Sequence, residues 1–149
     1  MAEPTKMTIG ASIALNDILT KILYLDPDAE KPVERDLPLN VKYKLQKSKG
    51  LFEKDYLFFE QERNNLIRKY GTEKDGVVKV DDDKLDDYKK DVIEVVKLEV
   101  EHDLPKIKPE DVEDIDVKGI TTEEVNLFMS ALIEDPEYVK DMQTPIKKD

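Results

Sequence analysis

Apolar residues along this chain recur mostly at intervals of three and four, the spacing that gathers side chains on one side of a helix. Ile13, Ile18, Leu19, Ile22 and Leu23 mark a first helix that Ser12 is placed to cap and that runs to about Tyr24, after a short extended lead-in from Met7 to Gly10. Leu25-Asp26-Pro27-Asp28 stops it. Pro27, Pro32 and Pro38, together with Asp26, Asp28, Glu30 and Asp36, make residues 26–37 an acidic, solvated connection, expected to be mobile or held by a partner. The longest element comes next. From Pro38, suited to a first helical turn, to Tyr70, followed by Gly71 as a stop, no proline interrupts a segment that would extend roughly 50 Å as a helix. Leu45, Phe52, Phe59 and Leu66 recur every seventh residue in it, flanked by Val41, Tyr56, Ile67 and Tyr70, which builds one stripe of the coiled-coil kind. Gly50 is its weak point, costing about 1 kcal/mol relative to alanine.

Residues 71–83 combine an Asp75-Gly76 turn signal with the β-prone run Val77 to Val80, which predicts a small hairpin tip. A second helix is expected from Asp83 to Leu98, with Leu85, Tyr88, Val92, Val95 and Val96 on one side and aspartates in its first turn, favourable to the helix dipole. Joined to the first rod by a short connection, it should fold back antiparallel on it. Leu98, Val100 and Leu104 alternate with acidic residues up to Pro105 and read as an edge strand, with Asp114 to Val117 as its expected pairing partner. Thr121 and Glu124 occupy the reciprocal positions of a capping box, opening a last helix that ends near Asp135-Pro136. The predicted fold is therefore mainly α with a minor β component. It is a long antiparallel helical hairpin with two shorter helices and a small β element, one domain over residues 1–149 with flexible ends at 1–6 and 139–149.

Composition narrows the function classes. The chain has 149 residues and a formal charge of −11, with 40% charged residues, 39% hydrophobic residues and no cysteine. That length supports one core. No apolar run reaches the roughly 18 residues of a membrane span, and the first residues lack the basic start and small-residue cleavage site of a signal peptide. Zero cysteines removes disulfides, thiol nucleophiles and cysteine-based metal sites. The charge is uneven: residues 38–70 hold 4 acids and 8 bases, whereas residues 71–149 hold 24 acids and 12 bases. The basic segment is expected to pair with the acidic helix Asp83 to Glu94, and the overall balance disfavours nucleic acid as a partner.

A search for chemistry finds little. His102 is the only imidazole, its neighbours Glu101 and Asp103 point to the face of an extended chain opposite to its own, and Ser12, Ser48 and Ser130 lie outside any Gly-x-Ser-x-Gly elbow. Asp81, Asp82, Asp83, Asp86 and Asp87 lack the glycine and glutamate spacing of a calcium loop and read as helix N-terminal charge. There is no phosphate-binding glycine motif. The lysines at 42, 44, 47 and 49, with Tyr43 and Phe52, form a split patch, read mainly as a solvated helix face. The aromatic residues are expected in core and hairpin packing, except Phe58, which lies about 100° from Phe59 around the helix and beside Leu51 would mark a protein-contact patch.

The order of these signals resembles a family of small uncharacterised proteins of tailed bacteriophages and prophages, encoded near virion structural genes. The features that carry it are the helix around Ala14 to Leu23, Leu37-Pro38 opening a long helix that closes on Arg68-Lys69-Tyr70-Gly71, Gly76 in a turn, Val100-Glu101 leading to Leu104-Pro105-Lys106-Ile107, and a short helix after Ile120-Thr121. The resemblance spans roughly residues 7–135, and the Asp26 to Asp36 loop is longer than the link in that pattern. It implies a non-enzymatic virion or assembly role, in the virion or the bacterial host cytoplasm, with other phage proteins or a second copy as partner and no catalytic, cofactor or metal residues. On this reading the contact residues are Leu51, Phe58, Asp82, Asp83 and Asp86. The alternative is an acidic nucleic-acid mimic that occupies a basic site on a host protein, steered there by its charge.

Overall fold

In the computed structural model, which describes residues 4–134, the chain begins with strand β1 (Thr5–Thr8) and passes without a loop into helix α1 (Ile9–Leu23). Thr8 makes this possible, because its Oγ1 accepts the Ala11 N–H at 3.1 Å and so caps the helix four residues before the expected Ser12. Ser12 lies inside the helix and is fully buried. Helix α2 (Leu39–Tyr70) is a single unbroken rod of 32 residues. It runs directly into β2 (Gly71–Lys74), which pairs antiparallel with β3 (Val77–Val80) around Asp75 and Gly76. Both turn residues have positive φ, 56° and 80°, as a two-residue hairpin of this hand requires. A 3₁₀ turn at Asp82–Lys84 leads into α3 (Leu85–Val96). Then follow β4 (Glu99–His102), an irregular stretch containing a second 3₁₀ turn at Pro109–Asp111, and α4 (Thr122–Leu132).

The core lies at one end of this arrangement. Leu15, Ile18, Leu19, Ile22 and Leu23 of α1 meet Val41, Leu45 and Phe52 of α2, Phe128, Met129 and Leu132 of α4, and Leu104, Ile107 and Val112 of the irregular stretch. The last buried residue of α2 is Phe52, and α3 has none. The helical hairpin therefore projects beyond the core with only partly covered side chains. It is tied to itself by Tyr70 Oη donating to Asp91 at 2.6 Å and by Lys69 near the same carboxylate at 3.8 Å.

Four expectations need correction. First, β4 pairs with β1, in register Thr5 with His102 and Met7 with Val100, and not with residues 114–117, which form no strand. Ile115 and Val117 pack instead against the core, so their alternation reflects burial without pairing. Second, the lysines at 42, 44 and 49 do not reach across to the acidic helix, which α2 meets by an ion pair, among the described residues, only near its end, where Lys69 lies 3.8 Å from Asp91. Lys42 pairs with Glu34, Lys49 with Glu53 at 3.2 Å, and Lys44 Nζ donates to the Lys106 carbonyl at 2.9 Å. Third, the 26–37 connection is fastened rather than loose: Arg35 Nε donates to the Ile22 carbonyl at 2.7 Å and Nη1 to that of Asp116 at 3.1 Å. A cation is thus set against carbonyls at the C-terminal end of α1, where the helix dipole favours it. The expected capping box at Thr121 and Glu124 is present with both bonds, 3.1 and 2.9 Å. Fourth, of the ends expected to be flexible, 1–6 and 139–149, residues 1–3 and 139–149 lie outside the described region, whereas Thr5 and Lys6 are held in β1 by pairing with His102 and Glu101.

Candidate functional site

The sequence spaces Ser12, Asp55 and His102 far apart, yet the fold brings them to one point where α1, α2 and β4 meet. Ser12 Oγ donates to Asp55 Oδ2 at 2.7 Å, and His102 Nε2 lies 2.7 Å from the same oxygen. The His102 ring also stands edge-on to Phe52, with centroids 5.7 Å apart. Sequence spacing could not reveal this constellation, because the pairing of β4 with β1 is what carries His102 to α2.

Its geometry differs from that of a hydrolytic triad. Nucleophilic catalysis needs the imidazole between serine and carboxylate, so that it takes the serine proton. Here the carboxylate is the hub, and the serine hydroxyl donates to it directly. Ser12 is fully buried, leaving no approach for a substrate carbonyl. The arrangement suits a polar clasp joining three elements, with two donors sharing one acceptor oxygen.

Lys106 is the second buried polar group of interest. Burial pushes its ammonium below the usual lysine range, the direction that activates an amine. Its Nζ nevertheless donates to the Ala131 carbonyl at 2.6 Å and to Thr5 Oγ1 at 3.1 Å, which holds β1 and the end of α4 together. A cavity of about 260 Å³ lies under residues 112–120, walled by Ile22, Val117, Val125 and Phe128, with Glu113 as its one charged residue. It offers no converging set of polar groups. Among the described residues no cluster of three or more His, Asp or Glu side chains is arranged to hold a metal, and no helix is long and apolar enough to cross a membrane.

What the molecule does present is surface. The projecting hairpin exposes Tyr56, Leu57 and Phe58 on α2, Val77 on the tip, and Leu85, Ile93 and Leu98 along the return. Of the five contact residues expected from sequence, Phe58 is 40% exposed, whereas Leu51 is partly buried against the core. Asp82, Asp83 and Asp86 are all exposed beside the β-hairpin, at the level of Tyr70, whose carbonyl accepts the Asp81 N–H at 3.0 Å. Phe58 lies about 18 Å down the rod from there, so aspartates and aromatic form two separate patches. The heptad stripe that sequence singled out is turned inward: Leu45 and Phe52 are in the core, and Phe59 and Leu66 are half-buried. Ile93, Leu98 and Val77 carry no sequence signal of exposure, because it depends on which face of α3 and of the β-hairpin the rod covers. Compared with models of known protein families, with curated proteins and with solved structures, the chain matches none.

Proposed function

We propose that this chain is a non-enzymatic structural or assembly protein of a tailed phage, acting through protein–protein contacts in the virion or during its construction in the host cytoplasm. The phage assignment comes from the resemblance in the order of sequence features. The contact role is supported by one observation above others: beyond Phe52 the hairpin has no fully buried side chain, yet it carries exposed Phe58, Val77, Ile93 and Leu98. Single exposed apolar residues are ordinary, but a projecting rod that keeps this many is suited to contact with another protein.

The test is to mix the purified protein with lysate of a host expressing phage structural proteins, at low and high salt, and to identify what co-purifies. A virion protein retained in high salt and lost on Phe58→Asp with Ile93→Asp is the expected result. A substrate-turnover activity abolished by His102→Ala would sink the reading. The exposed aspartates at the tip favour the acidic-mimic alternative, whose expected partner is a host nucleic-acid enzyme released by salt.

A further inference from the structure

Helix α2 has a second face that the core and α3 leave uncovered. At about 100° per residue, Leu39, Tyr43, Gln46, Gly50, Leu57, Gln61 and Asn64 fall in a band about 60° wide, opposite the buried row Val41, Leu45, Ser48 and Phe52. All seven are exposed, Leu39 at 81%, Tyr43 at 62% and Leu57 at 64%. None of these seven is charged, in a chain whose residues are 40% charged; the one charged residue in the band is Arg68, near the end of the helix. A solvated helix face in such a chain would be expected to carry lysine and glutamate. At its centre, a Cβ added to Gly50 would meet nothing within 4 Å, so the fold itself does not call for glycine there.

We infer that this face is the contact between two copies of the chain, packed antiparallel across a two-fold axis near Gly50. Three observations select this occupant. Turned end for end about Gly50, Tyr43 meets Leu57 of the second copy, Leu39 meets Gln61, Gln46 meets Lys54, and Gly50 meets Gly50, as in an isologous contact. The absence of a side chain at the crossing lets two backbones approach closely. The third is charge. Residues 39–52 carry Lys42, Lys44, Lys47 and Lys49 and no acid, while residues 53–62 carry Glu53, Glu60 and Glu62 opposed by Lys54 alone, Asp55 being held in the buried clasp on the other side of the helix. Antiparallel pairing lays the basic half on the acidic half, with Lys42 and Lys49 on the same flank as Glu60 and Glu53 of the second copy. Parallel pairing would lay lysines on lysines. On the other flank Lys47 approaches Lys54, a like pair whose long side chains extend to solvent. This contact is independent of the phage assignment and uses a face separate from the acidic tip.

The test uses the full chain, which has no cysteine of its own. Sedimentation equilibrium should give twice 17.2 kDa, and Leu57→Glu, a change at an exposed position, should weaken self-association about tenfold or more with the helical circular dichroism intact. A mixture of Tyr43→Cys and Leu57→Cys chains should form a mixed disulfide faster than either variant joins to itself. A mass of 17.2 kDa up to millimolar concentration would overturn the inference. So would a dimer indifferent to Leu57→Glu, or like cysteines joining faster than the mixture.

Discussion

Asp55 holds two donors from two other elements on one carboxylate oxygen, so its removal should cost more than a surface charge does. Asp55→Ala leaves the Ser12 hydroxyl buried without its acceptor, and a loss of about 2–3 kcal/mol in urea unfolding is expected. In the Ser12→Ala background the same change should cost measurably less; equal costs in both backgrounds would show that the two side chains are not coupled. Glu124 makes a comparable local knot. Its carboxyl is held below the usual glutamate range, first by the Thr121 N–H and then by the Lys21 ammonium at 2.9 Å, which raises the lysine in turn. A carboxylate depressed by folding contributes stability that is complete above its unfolded value and lost as pH falls through the folded one. Glu124→Gln should therefore destabilise at pH 7 by about 1 kcal/mol, with the difference from the native chain shrinking below roughly pH 4. A gap that persists unchanged to pH 2 would refute the assignment. Both knots differ in how far the sequence shows them. Thr121 and Glu124 are three residues apart and carry a local signature, whereas Ser12, Asp55 and His102 are joined only by tertiary pairing.

At the scale of elements, the boundary between α2 and β2 is set by contact more than by a turn. Gly71 has extended backbone, φ −118° and ψ 171°, so it is not the left-handed stop its place after Tyr70 suggests. A Cβ there would lie 2.5 Å from the Ile67 carbonyl oxygen and 2.7 Å from that of Lys79, both backbone atoms that cannot swing away. Gly71→Ala should thus separate the β-hairpin from the end of the rod, costing about 1–3 kcal/mol and raising amide exchange at residues 71–80. Unchanged exchange there would mean that the strand ends relax without loss. The helices themselves were largely legible, since α2 and α4 follow from periodicity, proline placement and a capping box. The β component was not. Alternation marked residues 98–104 as extended, but β1 has only four residues, too few to show a period, and Ile115 and Val117 alternate for burial alone. The start of α1 turns on the same kind of competition: Thr8 and Ser12 are both cap residues, and the pairing of β1 decides for Thr8.

Across the whole molecule, stability should be distributed as unevenly as burial. Residues 9–23, 41–52, 104–107 and 128–133 share one core, whereas residues 53–98 contribute no fully buried side chain and hold together through half-covered apolar residues, the β2–β3 ladder and the Tyr70–Asp91 bond. Local opening free energy follows the number of buried apolar contacts that must be broken, so the distal hairpin should open without the base. The middle of α2 is where the two regimes meet, and there the helix is continuous: no proline or loop separates Phe52 from Phe59. Helix propagation is favourable once nucleated, so the opening should fray inward from the hairpin tip and stop where Phe52 and the Asp55 clasp anchor the helix. Native-state hydrogen exchange followed residue by residue at low denaturant tests this. Amides of residues 57–70 and 85–96 should show opening free energies at least about 1–2 kcal/mol below those of residues 15–23 and 41–52, and binding of any partner along the hairpin should raise the first set while leaving the second unchanged. One exchange class spanning both sets in the free protein would mean that the projecting rod and the core unfold as a single unit, and that half-covered side chains in the hairpin contribute as much as the buried ones at the base.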